Sequence, residues 1–256
     1  MSSMKILKVL ACGLWACVTV GLPQASEAAE LKLLSSLGLK PVVDALVPEF
    51  ERETGHKVAV RFALTPAIPK AATESPGFDV AISDPKHIAD MIATGTVRAG
   101  TATNIARFGM GVGVRAGAMK PDVATPGALK SAVLKFDSIG YVAAGATGPV
   151  VLAMLGKLGI AEQAQPKLKA GGVAENLGAV ASGTLDAVLM PVPLITAGKG
   201  VELAGAWPAE LQDYIVMTGG VSGATATKIE AEALLKFLMS PKADSVVVSR
   251  GYERIH

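Results

Sequence analysis

Four short turns carry the residues whose types and spacing could do chemistry. They are Ser35-Ser36-Leu37-Gly38, Thr65-Pro66-Ala67, Ala146-Thr147-Gly148 and Glu175-Asn176-Leu177. Each reads as a strand-to-helix junction built from small hydroxyl, amide or glycine residues. Small side chains let a ligand approach the backbone, and a helix N-terminus offers N–H groups that have no intrahelical partner. Ser and Thr hydroxyls add further donors. That set suits an oxyanion held by hydrogen bonds without a formal counter-charge. Taken singly, each turn is an ordinary capped turn. Four of them in one chain point to a shared cleft.

The other chemical candidates carry less. His56, His87 and His256 are far apart and none has a second ligand type at metal spacing, so they are expected at the surface and no metal site is expected. Ser222, in Gly220-Val221-Ser222-Gly223, resembles a nucleophile elbow only loosely. Its first glycine is misplaced, and only His256 lies downstream to act as base. Gly109-Met110-Gly111-Val112-Gly113 is glycine-rich, but no helix opens after it and no acidic residue follows at dinucleotide spacing; a crossing between lobes explains it better. No catalytic residue and no cofactor are expected.

The elements that must position these turns alternate between strand and helix. Strands are expected at Leu31–Leu34, Val58–Phe62, Phe78–Ile82, Ser138–Ala143 and Ala187–Met190, with crossing strands at Met110–Arg115 and Tyr214–Val221. Leu39, Val42, Val43, Leu46, Val47 and Phe50 recur at helical spacing before Gly55, with Pro48 expected to kink or shorten that helix. Further helices are expected at Lys86–Ala93 with Asp84 as cap, Gly148–Leu158, Val173–Ser182, Glu230–Met239 and Ala243–Arg250. This alternation implies an α/β chain with mostly parallel sheets and helices on both faces. Ligands in such sheets sit beyond the carboxyl ends of the strands.

The N-terminus has the three parts of a secretory signal peptide: Lys5 and Lys8, the apolar run Val9–Leu22, and Ser26-Glu27-Ala28-Ala29. The run is shorter than the ~20 residues a membrane-spanning helix needs. Cleavage is expected after Ala28, which makes residues 1–28 the leader and the periplasm the destination. Cys12 and Cys17 both lie in that leader, so the mature chain has no disulfide, thiolate metal site or cysteine nucleophile. Lipidation at either cysteine is disfavoured, by the short run before Cys12 and by Trp15 before Cys17. Cleavage lowers the formal charge from +2 to +1, with basic residues scattered, so nucleic acid is not an expected partner. Only 4% of residues are aromatic, too few rings to stack on a sugar.

Leu31-Lys32-Leu33-Leu34-Ser35-Ser36, Pro48-Glu49-Phe50-Glu51-Arg52-Glu53-Thr54-Gly55-His56-Lys57-Val58 and Phe78-Asp79-Val80-Ala81-Ile82 resemble the opening of the molybdate-binding-protein-like periplasmic receptors of ABC importers. Gly183-Thr184-Leu185-Asp186-Ala187-Val188, Trp207-Pro208-Ala209-Glu210-Leu211-Gln212 and Leu235–Pro241 match later segments, in order along the whole mature chain. The resemblance implies a two-lobed type II periplasmic binding protein with two crossover strands. It places lobe one at 29–108 with 216–256 and lobe two at 109–215. It implies a monomer that holds a small anionic ligand between the lobes and passes it to a membrane permease. The implied binding residues are Ser35 or Ser36, Thr65, Thr147, Asn176, Leu177 and Pro191.

Two departures from the family pattern bear on the ligand. The serine of the first turn aligns near Leu37, and the tyrosine after the last lobe-two strand falls at Met190-Pro191, which has no hydroxyl. Loss of two donors weakens molybdate as the ligand and leaves a small organic acid reaching Lys40 or Lys70 as the other choice. A sensory receptor for a kinase and an exported hydrolase are the alternatives in function.

Overall fold

A computed structural model of the chain describes residues 28–74 and 77–255. The leader and the readings on Pro76 and His256 lie outside the described residues. Among the described residues ten strands follow in chain order: β1 Glu30–Ser36, β2 Lys57–Ala63, β3 Val80–Ser83, β4 Thr103–Phe108, β5 Met110–Arg115, β6 Ile139–Tyr141, β7 Leu168–Ala170, β8 Ala187–Pro191, β9 Val201–Ala206 and β10 Ile215–Val221. They form two five-stranded sheets, ordered β2-β1-β3-β10-β4 and β7-β6-β8-β5-β9.

Each sheet is mixed, where mostly parallel pairing was expected. β1 pairs parallel with β2 and β3, and β6 with β7 and β8. β10 runs antiparallel to β3 and β4, and β5 to β8 and β9. The reason is connectivity. β5 and β10 are crossings that enter from the other sheet and not returns of a βαβ unit within their own, so the parallel βαβ rule does not set their direction. Only Gly109 separates β4 from β5, and residues 207–214 carry the chain back.

Burial follows the sequence pattern. Leu31 and Leu33 of β1 pack with Val42, Val43, Leu46 and Phe50 of the helix Lys40–Thr54, while Leu34 packs on the other face with Ile68, Ile88 and Met91. A strand covered on both faces must be a near-continuous apolar run, and Leu31–Leu34 is one apart from Lys32. The second sheet is likewise flanked by two apolar clusters, one holding Val112, Leu189 and Trp207, the other Val188, Met190 and Ile195.

Local signals behave as their physics requires. Asp84 caps the helix Pro85–Ala93 by accepting from His87 N at 2.8 Å. Gly55 closes the helix Lys40–Thr54 in the left-handed conformation at φ 77°. Pro48 does not shorten that helix. It is exposed, and the carbonyl it leaves unpaired belongs to exposed Asp44, where water can serve it. The helix Pro126–Lys135 and strands β4, β7 and β9 add to the elements expected from sequence.

The two crossings touch. Gln212 on the return segment accepts from Met110 N at 2.6 Å through Oε1 and donates to Met110 O at 3.0 Å through Nε2. A Cβ on Gly109 would meet the Gln212 side chain at 2.8 Å, so the bare backbone lets this amide clamp the outgoing strand. The glycines of β5 serve packing in the same way. A Cβ on Gly111 would meet Leu203 at 2.8 Å, and one on Gly113 would meet Val188 at 2.8 Å.

Candidate functional site

Three of the four turns meet at one small cavity between the two sheets, about 30 Å³ in volume. The first sheet supplies Ser36, Leu37 and Gly38 from the end of β1, Leu64 and Thr65 after β2, and Phe108 at the end of β4. The second supplies Val142, Gly145, Ala146 and Thr147 after β6, Val173 after β7, Pro191 at the end of β8 and Leu194 beyond it. No charged side chain lines it. The polar groups of the wall are hydroxyls and backbone.

Those hydroxyls form a defined set. The Ser36 and Thr65 oxygens lie 2.7 Å apart, and Ser36 Oγ also accepts from Gly38 N at 3.0 Å. Thr65 is 5% exposed, and Thr147 is 8% exposed with no hydrogen bond to its hydroxyl among the described residues. Thr147 opens the helix Thr147–Lys157; Gly148 N is spent on Gly145 O and Pro149 has no N–H, so this helix start offers the Thr147 N–H and hydroxyl. Donors therefore reach the cavity from both lobes.

The remaining expected residues sit around this core. Pro191 lines the cavity as a buried residue at the end of β8. Ser35 points elsewhere on the strand, and its hydroxyl donates to Ser36 O at 3.2 Å. Asn176 is 2% exposed, and its amide donates to Tyr141 O at 3.0 Å and Gly171 O at 3.1 Å. Both of its N–H groups are thereby used to tie the end of β6 to the loop after β7. Leu177 stands more than a turn inside the helix Val173–Ser182, where its N–H belongs to the helical ladder. Its side chain lines an outer groove instead. It is Val173, the first residue of that helix, that faces the cavity.

Two residues that sequence reasoning passed over shape the floor. Phe108 lies in the wall, and Tyr252 packs edge-on against it with centroids 5.7 Å apart. The Tyr252 hydroxyl donates to Gly38 O at 2.7 Å, which fixes the first turn from the far end of the chain. Burial pushes the Tyr252 hydroxyl well above its ordinary pKa of 10.0, so the folded protein keeps it protonated. Above that value the unfolded chain releases the proton and the folded one does not, so this contribution to stability falls as pH rises. Tyr252→Phe is expected to cost about 1–3 kcal/mol near neutral pH, because the Gly38 carbonyl loses its donor. That cost should shrink between about pH 9 and pH 11. Denaturant unfolding of both proteins across this range checks it; a cost that grows with pH contradicts it.

The weaker candidates stand apart from the cavity. Ser222 lies past the end of β10, and its Oγ accepts from Ala224 N at 3.3 Å. His56 is buried, not exposed as expected: Nδ1 accepts from Ala29 N at 3.1 Å and the ring packs near Phe50. His87 pairs with its own helix cap, Asp84, at 2.6 Å. Among the described residues no cluster of three His, Cys, Asp or Glu could hold a metal ion, and no helix is long and apolar enough to cross a membrane.

The bacterial extracellular solute-binding proteins match residues 31–253. The chain belongs to that family. It is 26% identical over 259 residues to the molybdate-binding protein ModA of Azotobacter vinelandii, covering 97% of this chain and 96% of that one. It is also 25% identical over 257 residues to an aconitate isomerase of a Pseudomonas species, covering 97% of each. The solved periplasmic molybdate-binding protein of Azotobacter vinelandii superposes with a TM-score of 0.74 at 21% identity, over 88% of this chain and all of that one. The solute-binding fold, two mixed α/β lobes facing each other, is thus shared with the molybdate-binding periplasmic proteins.

Proposed function

We propose that this solute-binding protein captures a small anion between its lobes in the periplasm and delivers it to the membrane permease of an ABC importer. One observation carries the reading: hydroxyls from both lobes, Ser36 and Thr65 on one side and Thr147 on the other, converge on a cavity with no charged wall. Such a wall holds an anion by hydrogen bonds alone, and charge-assisted hydrogen bonds are the stronger kind. Donors split between lobes bind better when the lobes are closed, and that difference drives closure.

The lobes are taken as 29–108 with 216–256 and 109–215, and the protein as a monomer. Its leader is removed after Ala28. N-terminal sequencing of exported protein is expected to begin at Ala29, and a start at Met1 or Met4 would contradict export by this route.

The function is tested by thermal shift with molybdate, tungstate, sulfate and a panel of small carboxylates. At least one is expected to raise the melting temperature, because a ligand that binds only the folded state stabilises it. If none does, the anion reading falls.

A second reading has its own observation, the 25% identity to an aconitate isomerase along the whole chain. An isomerase of an organic acid needs a group placed to carry a proton at the ligand. The inner cavity offers only hydroxyls, whereas Lys40 and Asp44 lie in the adjoining groove. Incubation with aconitate followed by proton NMR separates the readings: interconversion supports the enzyme, and binding without turnover supports the receptor.

A further inference from the structure

The hydroxyl cavity has a second chamber beside it. A groove of about 340 Å³ runs between the lobes and shares Val173 and Leu194 with the cavity as a common wall. Leu177 extends that apolar wall on the second lobe, and the first lobe contributes Lys40, Asp44 and Arg250. We infer that the ligand is a short organic anion with at least two carboxylates: one in the hydroxyl cavity, the carbon skeleton against Val173 and Leu194, and the other at Arg250 and Lys40. This inference rests on the proposed anion site and narrows its ligand class.

Volume comes first. The inner cavity, about 30 Å³, has room for a compact head group and little more. An inorganic oxyanion would end there and would have no use for the apolar wall that the two spaces share. A carboxylate attached to a chain would need one, since its methylene groups gain by leaving water.

Charge comes second. Lys40, Asp44 and Arg250 leave the groove with one net positive charge, while the inner cavity has none. Lys40 is preset: its ammonium is 2.7 Å from Asp44 and 4.5 Å from the centroid of the Phe62 ring. Arg250 forms no ion pair among the described residues, and its planar fork matches a carboxylate in two parallel hydrogen bonds. Arg250 also follows the helix Pro241–Ser249, where a cation favours the helix dipole. That role alone would not require a second cation and an apolar wall facing it across the cleft.

Isothermal titration with acetate, succinate, tricarballylate and molybdate tests the inference on the mature protein and on Arg250→Gln, Lys40→Gln and Thr65→Val. Succinate or tricarballylate is expected to bind at least about tenfold more tightly than acetate or molybdate. Arg250→Gln should erase most of that advantage and leave acetate and molybdate unchanged, and Lys40→Gln should act in the same direction. Arg250 is exposed, so the melting temperature of unliganded Arg250→Gln should stay close to that of the parent. Tighter binding of molybdate than of every carboxylate overturns the inference, as does succinate affinity that ignores both cation variants. If Thr65→Val weakens binding while Arg250→Gln does not, the anion cavity stands and the second carboxylate falls. If none of the four anions binds, the anion site falls and the inference with it.

Discussion

Gly148→Ala is expected to destabilise the protein by about 1–3 kcal/mol or more and to remove anion binding. A Cβ at this position overlaps the carbonyl oxygen of Ala143, lies 2.9 Å from its carbonyl carbon and 3.0 Å from Val142 O. These are backbone atoms, which cannot swing away as the end of a side chain can. The same turn is drawn tight by Gly145 N donating to Val142 O and Gly148 N donating to Gly145 O, each at 3.2 Å. Relief of the overlap must open the loop that brings Val142, Gly145, Ala146 and Thr147 to the cavity. Gly178→Ala makes the comparison clean. Gly178 lies mid-helix and exposed, and a Cβ there meets nothing within 4 Å. That change should stabilise by about 0.4–1 kcal/mol. Denaturant unfolding of both variants decides the matter. Equal effects at the two positions would mean that the turn at Gly148 has slack the structure does not show.

Much of this turn was readable in the sequence, because its parts are local. Ala146-Thr147-Gly148 stands where an apolar strand gives way to a helical pattern, and small residues there have a limited set of uses. Ser36 and Thr65 were readable for the same reason. What the local pattern could not show is where a polar group sends its hydrogen bonds. Asn176 has the right type and spacing for a ligand donor, yet its two N–H groups go to Tyr141 O and Gly171 O. Ser35 and Ser36 differ only by the alternation of a strand, which turns one toward the cavity and the other away.

Long-range contacts were the least legible. Tyr252 is 214 residues from Gly38, and nothing near either residue announces that hydrogen bond. Phe108 and Gln212 likewise take their roles from the two crossings, whose meeting is a property of topology. The antiparallel half of each sheet was missed on the same ground. Helical and strand periods report burial, and burial is alike for parallel and antiparallel neighbours in a covered sheet. Arg250 and Lys40 share one groove only because the C-terminal helix returns to the first lobe.

Thr65→Val tests the site at its centre. Valine keeps the shape of threonine closely and removes one hydroxyl, which in the protein lies 2.7 Å from Ser36 Oγ. Ser36 Oγ would still accept from Gly38 N, so the turn itself should hold. The anion, however, loses a donor in a place with no charged side chain to compensate. A hydrogen bond to a charged group is worth about 1.5–3 kcal/mol, so affinity should fall roughly ten- to a hundredfold for whichever anion binds. Thr65→Ser provides the control: it keeps the hydroxyl, loses a methyl group, and should bind within a few-fold of the parent. A structural role for Thr65 would predict a different pattern, with both variants less stable and both weaker in proportion. Calorimetric titration alongside thermal unfolding tells these apart. Should the valine variant bind as tightly as the parent, the ligand does not use this hydroxyl, and the pair Ser36–Thr65 is part of the wall alone.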